Sequence, residues 1–306
     1  MTVPQQGQCL DVVVVGGGPA GLTASTYLRR FHRSCRVLDA GHSRARWIPE
    51  SNNCPGFPDG VAGEVLLQRM RRQAESFGTG FDAVRVECIE RQDGRFVLSA
   101  GPRRWHARAV IMATGIDDRL PDQPWVEQAI AAHALRLCAV CDAYEAADTR
   151  IGVYGRLADI ISHGRFLRGY SSQVVLLPCD SDHAASELQA AAEAGLEVRA
   201  GGGRLDFDGK HCRYATDAGV ERFDSVYPYL GARSTTGIVD ALAPQRSDTG
   251  ELVVDRHQMT SVPGLYAIGD VVSGLNQIAV AVGQAALAAT HLHGVLPFVP
   301  RSDAAD

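Results

Sequence analysis

The run Gly16-Gly17-Gly18-Pro19-Ala20-Gly21 restricts the fold more than any other part of this sequence. It follows directly on Leu10-Asp11-Val12-Val13-Val14-Val15, an almost wholly apolar, β-branched stretch of the kind that forms a strand buried on both faces. Residues 22–31 read as a helix. Strand, glycine turn and helix in that order are the context in which Gly-x-Gly-x-x-Gly signals dinucleotide binding rather than a chance match. Gly16 makes the turn, Gly18 lets backbone approach a pyrophosphate, and Gly21 lets the helix pack closely on the strand. The helix N-terminus adds amide donors and partial positive charge. A second strand, 35–38, ends in Asp39, 23 positions beyond Gly16 (39 − 16), where a carboxylate would meet a ribose hydroxyl.

Cys138-Ala139-Val140-Cys141-Asp142 is the second constraint. Two thiols three positions apart can close a small, reducible ring, and exchange with another disulfide needs an attacking thiolate and a departing one. The adjacent Asp142 is placed to carry the proton. Half of a zinc site is the competing reading, as are two buried cysteines. Zinc wants a second Cys/His pair at ligand spacing, and Cys179, Cys212 and the histidines supply no second Cys-x-x-Cys. No metal is expected.

The chain's 306 residues, 45% of them hydrophobic, suffice for two domains with their own cores. A net charge of −5 argues against nucleic acid or an anionic membrane surface as the main partner. Eight cysteines scattered over this length do not make a secreted disulfide framework. No run of eighteen consecutive apolar residues and no secretory leader in the polar residues 1–8 is seen, so a cytoplasmic location is expected.

Along the rest of the chain, 53–57 is turn-rich and 63–78 an amphipathic helix. Residues 84–89, 95–100 and 104–109 read as a meander of short strands, 110–113 as a further apolar strand running into Thr114-Gly115, and 117–124 as a linker. A second strand–turn–helix unit starts at 150–154, with helices over 156–169 and 184–195 around a strand at 174–177. Its turn reads Gly155-Arg156-Leu157-Ala158-Asp159-Ile160. Leu157 stands where the second glycine belongs and is expected to intrude on pyrophosphate space; Ile160, in place of a small residue, is expected to push helix from strand. After the next strand come Asp180 and Asp182, with no arginine for a 2′-phosphate. A carboxylate close to a phosphate costs about 4 kcal/mol at an effective dielectric of ~20. Later, 252–254 and 265–268 read as strands, Asp270 as an acid at a strand end, 277–293 as an Ala-rich helix, and 297–306 as a loose tail.

Taken together, these pieces resemble the low-molecular-weight thioredoxin reductase family of FAD-dependent disulfide reductases. They are Gly16 to Gly21, the Asn53-to-Gly56 turn, Ala113-Thr114-Gly115, Cys138 to Asp142, and Gly264-Leu265-Tyr266-Ala267-Ile268-Gly269-Asp270. The resemblance implies an α/β fold of two Rossmann-like three-layer dinucleotide-binding domains, the second inserted in the first. Residues 1–118 and 245–306 would hold FAD, and 119–244 would carry the cysteine pair. It implies that Cys141 faces the flavin, that Cys138 attacks the partner disulfide, and that Asp142 is the acid/base. By the same resemblance the FAD site would comprise Gly16, Gly18, Pro19, Ala20, Gly21, Asp39, Arg46, Asn53, Val86, Ala113, Thr114, Gly115, Gly269, Asp270, Gln277 and Ile278. A homodimer is implied, with a thioredoxin-like protein or a small disulfide or dithiol as partner.

The chain departs from that family at Leu157, Ile160, Asp180 and Asp182, and Ala143 follows Asp142 where the family usually has Gly. The flavin and the disulfide carry over; NADPH in its usual pose does not. Three other functions stay open: a dithiol oxidase passing electrons to oxygen, an NADH-dependent reductase using Asp180, and a non-enzymatic redox sensor.

Overall fold

The computed structural model describes residues 9–272, 274–298 and 300. The chain runs β1 (Leu10–Val15), α1 (Pro19–Arg30), β2 (Cys35–Asp39), α2 (Gly63–Ser76), β3 (Gly80–Ala83), β4 (Cys88–Gln92), β5 (Arg95–Ala100) and β6 (Arg103–Met112). It continues through β7 (Ile116–Asp118), α3 (Val126–Ala131), α4 (Ala139–Asp142), β8 (Ile151–Gly155), α5 (Leu157–Leu167), β9 (Val174–Pro178) and α6 (Ala185–Glu193). Then follow β10 (Glu197–Val198), β11 (Arg204–Phe207), β12 (Cys212–Thr216), β13 (Gly219–Phe223), β14 (Ser225–Tyr229), β15 (Ala232–Ser234), β16 (Leu265–Ala267) and α7 (Ile278–Val295). Two compact units result: residues 1–46, 64–117 and 234–306 form the first, and 47–63 with 118–233 the second.

The first unit is built on a sheet in the order β3-β2-β1-β6-β5-β4, with β16 also on β6. β1 lies parallel to both β2 and β6. Its side chains alternate between two cores. Val13 and Val15 join Leu38, Phe96, Val110 and Met112 on one face; Val12 and Val14 join Val37, Ile111 and residues of α1 and α7 on the other. That two-sided burial is why the strand is apolar almost throughout. α7 presents Ala281, Ala285, Ala288, Ala289 and Leu292 to this second core and packs against α1. It is the one helix among the described residues long and apolar enough to cross a membrane.

The second unit repeats the scheme with the parallel order β10-β9-β8-β14. Val153, Leu176 and Tyr227 face one core with α5; Val175, Leu177 and Val226 face another. The antiparallel meander β11-β12-β13 closes that second core with Leu205, Cys212, Tyr214 and Phe223.

Several sequence expectations shift. No strand runs over 84–87; β4 begins only at Cys88. The strands expected over 104–109 and 110–113 are one, because on the edge away from β1 β6 serves two partners in turn. Its early half pairs with β5 and its late half, Val110 to Met112, with β16. The expected linker begins inside β7, which pairs with β15. Leu252 and Val254 form isolated bridges rather than a strand. The expected loose tail starts at a fixed point, since the Pro297 carbonyl accepts a 2.8 Å hydrogen bond from Arg33 Nη1; its residues 299 and 301–306, like 1–8, lie outside the described residues.

Candidate flavin cradle and redox disulfide

In the first unit, the glycine turn is shaped by what cannot be added to it. Gly16 has φ +110°, in the region glycine alone adopts freely, and a Cβ there would fall on the Ala113 carbonyl oxygen. A Cβ on Gly21 would strike the Gly16 carbonyl, which is how tightly α1 sits on β1. Gly18 caps α1 with no side-chain hydrogen bond, Pro19 occupies the first helical position, and no acid lies in the first turn. The first-turn amides have no partner within the helix, so this end is suited to an anion.

Asp39 closes the cradle. Its Oδ1 accepts from the amides of Gly17 and Gly41, both at 3.1 Å. Gly269, at φ +73°, comes within reach of Ala20: an added Cβ would be 3.1 Å from the Ala20 Cβ. The Gly269 amide donates to Gln284 Oε1 at 2.6 Å, a contact from α7 that fixes the loop carrying Asp270. Asp270 Oδ2 lies 3.7 Å from Arg44 Nη1. Thr235 Oγ1 is 2.7 Å from both Thr114 Oγ1 and the Gly115 carbonyl. With one proton of its own, Thr235 donates to the carbonyl and accepts from Thr114. Gln277 caps α7, Ile278 is its first residue, and no acid lies in that first turn either.

The fold thus gathers Gly16, Gly18, Pro19, Ala20, Gly21, Asp39, Ala113, Thr114, Gly115, Gly269, Asp270, Gln277 and Ile278 into the first unit. Arg46 belongs to it as well, its amide bonded to the Ser43 carbonyl in the single turn Arg44–Trp47. Val86 is 5% exposed within the core beside β1. Asn53 falls in the second unit, where its Oδ1 accepts from Ser51 Oγ at 3.2 Å. Gln284 and Thr235 were not singled out from sequence; a polar residue inside an alanine-rich helix was the available signal for Gln284.

In the second unit, Cys138 and Cys141 form a disulfide spanning the one-turn helix α4. Three residues alternating along β14 hold that turn, as a period-2 strand places i, i+2 and i+4 on one face. Ser225 Oγ accepts from Arg136 Nε at 3.0 Å. The Tyr227 hydroxyl donates to Asp142 Oδ1 at 2.8 Å. Tyr229 accepts from the Ala139 amide, and the His163 ring of α5 stacks on it at 3.4 Å. Arg136 also places Nη1 3.2 Å from Asp142 Oδ2, with 10% of its side chain exposed. Burial pushes the Asp142 carboxyl above the usual range, against the opposing pull of Arg136 and the Tyr227 hydrogen bond. Burial likewise raises Tyr229, to about 12, and Tyr227 further. Val140 and Tyr144 beside the disulfide are 53% and 80% exposed.

The second glycine turn differs from its sequence reading. Leu157 does not project into phosphate space: it is 1% exposed, inside the core with Ile151, Val153 and Leu167. Nor does Ile160 force the helix away; it is fully buried, and an added Cβ on Gly155 would lie 2.8 Å from its Cγ2. What changes is the helix start. Arg156 is the N-cap of α5 and Asp159 sits in the first turn, so a carboxylate occupies the dipole that the first unit leaves open. At the end of β9, Asp180 Oδ1 and both His183 ring nitrogens are buried without a hydrogen-bond partner among the described residues, 3.7 Å separating Oδ1 from Nδ1.

A glycine cradle fit for FAD and a disulfide seated on a second α/β unit define a flavoprotein disulfide oxidoreductase. FAD, when bound, supplies a two-electron carrier. The chain belongs to the pyridine nucleotide-disulphide oxidoreductase family, whose sequence model matches residues 10–285. It is 29% identical to the thioredoxin reductase of Listeria monocytogenes, with 91% of each chain covered. The crystal structure of thioredoxin reductase from Streptococcus pyogenes superposes with a TM-score of 0.84 at 26% identity, covering 94% of this chain and 97% of that one. The crystal structure of HlmI superposes at 0.86 with 27% identity, covering 96% and 94%.

Proposed function

We propose that the enzyme moves electrons between FAD and a dithiol/disulfide substrate through Cys138 and Cys141, without NADPH in the family's usual pose. The observation that carries this reading is the contrast between two helix N-termini. α1 offers a glycine cap, open amides and no acid; α5 offers Arg156 as cap and Asp159 in its first turn. Asp180 and Asp182 beyond β9 add negative charge where a 2′-phosphate would lie. The substrate is a thioredoxin-like protein, as the relatives' names suggest, or a small dithiol. The working assembly is a homodimer in the cytoplasm. The domain division read from sequence, 1–118 with 245–306 and 119–244, differs from the two compact units at 47–63, 118 and 234–244.

Anaerobic titration of the purified yellow protein tests the reading. Dithiothreitol should bleach the flavin within the mixing time of a hand titration while NADPH leaves it oxidised. Fast bleaching by NADPH would overturn it. Asp180 supports a second reading: 25 positions past Gly155 (180 − 155), its side chain is 37% exposed and stands where a ribose-binding carboxylate belongs. On that reading NADH, and not NADPH, bleaches the flavin.

A further inference from the structure

We propose that Arg136 and Tyr227 are positioning residues that tune Asp142 as the proton donor and acceptor of the Cys138–Cys141 pair. The inference rests on the disulfide-exchange function above, and its geometry belongs to the second unit alone. Asp142 ends the turn that the disulfide spans. Its two oxygens are divided between two partners from different segments, Oδ1 to the Tyr227 hydroxyl and Oδ2 to Arg136. Arg136 is in turn fixed by Ser225, so Ser225 and Tyr227 on one face of β14 aim both partners. The remaining ionisable groups acting on this cluster are Glu145, which opposes ionisation of Asp142, and Tyr229, which bonds the Ala139 amide and carries the His163 ring.

The chemistry balances as follows. A thiolate of dithiothreitol bonds to one enzyme sulfur and the Cys138–Cys141 bond breaks. The electron pair goes to the departing sulfur, which takes a proton from Asp142. The second thiol of dithiothreitol returns its proton to Asp142, closes its own disulfide and frees the second cysteine as a thiolate, which takes a proton from solvent, where the first reagent thiol had left its own. Two electrons and two protons have entered the pair. In reverse, Asp142 as carboxylate removes the proton from the attacking thiol. Each direction needs a carboxyl whose proton affinity is raised by burial yet restrained by Arg136 and Tyr227, since an unrestrained buried carboxyl would hold its proton too tightly to work as a base.

The test is the rate at which dithiothreitol opens the disulfide in the holoenzyme, read by quenching with an alkylating agent and weighing the product. Rates are corrected for the thiolate fraction of the reagent across pH. Wild type should show a limb on which the corrected rate falls as Asp142 loses its proton, and Asp142→Asn should abolish that limb. Tyr227→Phe removes a hydrogen bond that favours the carboxylate, so the limb should move to higher pH by about one unit, a tenfold change in proton affinity. Arg136→Gln should move it the same way, and Arg136→Lys should return it towards wild type. A limb left in place by both Tyr227→Phe and Arg136→Gln, or a rate lowered equally at every pH, would overturn the proposal. The function is tested separately by flavin colour: if the disulfide opens but the flavin stays oxidised, that function fails while the position of the limb still decides the role of Arg136 and Tyr227.

Discussion

Cysteines that look alike in the sequence are separated by burial. Cys35 is 3% exposed in the core under α1, and Cys212 is fully buried with its sulfur 3.3 Å from the Ala134 carbonyl. Desolvation pushes both thiols up to about 12. Only the thiolate alkylates, and at neutral pH such a thiol is ionised at a level of about 10⁻⁵. Cys54, Cys88 and Cys179 are raised too, chiefly by burial. Treating the reduced native protein briefly with iodoacetamide near neutral pH should therefore label Cys138 and Cys141 and leave Cys35 and Cys212 unmodified, as peptide mass mapping would show. Labelling of Cys35 at a rate like that of the pair would mean the first-unit core opens far more readily than its packing implies. At this scale the spacing of Cys138 and Cys141 pointed to a pair, and a disulfide joins them with Asp142 ending the turn it spans. Ser225 and Tyr227 stayed hidden because they meet the redox turn only once β14 lies beside it.

The elements nearest the cradle were legible because their physics is local. β1, its glycine turn and β2 follow from short continuous apolar runs and three glycines, and β1 falls on the residues expected. Junctions that depend on distant chain were less so. β6 is one ten-residue strand because β5 and β16 share its edge, which no window of the sequence contains. Leu157 was misread for a related reason: α5 begins one position earlier relative to its turn than α1 does, which takes the side chain inward. The end of α7 shows another such long-range dependence. Arg33 is 5% exposed and donates to the carbonyls of His293, Leu296 and Pro297, while Nε meets His293 Nδ1 at 3.2 Å. A cation satisfying the last carbonyls of a helix also complements its dipole. Arg33→Ala should lower the unfolding free energy by about 2 kcal/mol, with three carbonyls losing their charged donor. A shift in the urea midpoint with little change in slope would register it; no shift would show that water replaces the guanidinium without loss.

Across the whole molecule, one architecture is used twice with opposite outcomes at the strand ends. Both units place a sheet with parallel central strands between two cores, and both turn from a strand into a helix at a glycine, Gly16 or Gly155. The first keeps its helix dipole open and anchors the turn with Asp39; the second fills the dipole with Asp159 and spends its surface on holding the disulfide turn. If that division is real, the cofactor can be removed without disabling the sulfur chemistry. Asp39→Ala deletes a carboxylate that holds the Gly17 and Gly41 amides, and loss of charged hydrogen bonds of that kind weakens binding by about ten- to a hundredfold. The variant should purify with less flavin per chain, as absorbance reports. Its Cys138–Cys141 disulfide should still open with dithiothreitol at close to the wild-type rate, since every contact named for Asp142 lies in the second unit. A flavin-poor protein whose disulfide had also become inert would show that the two sites depend on each other in a way their separate packing does not require.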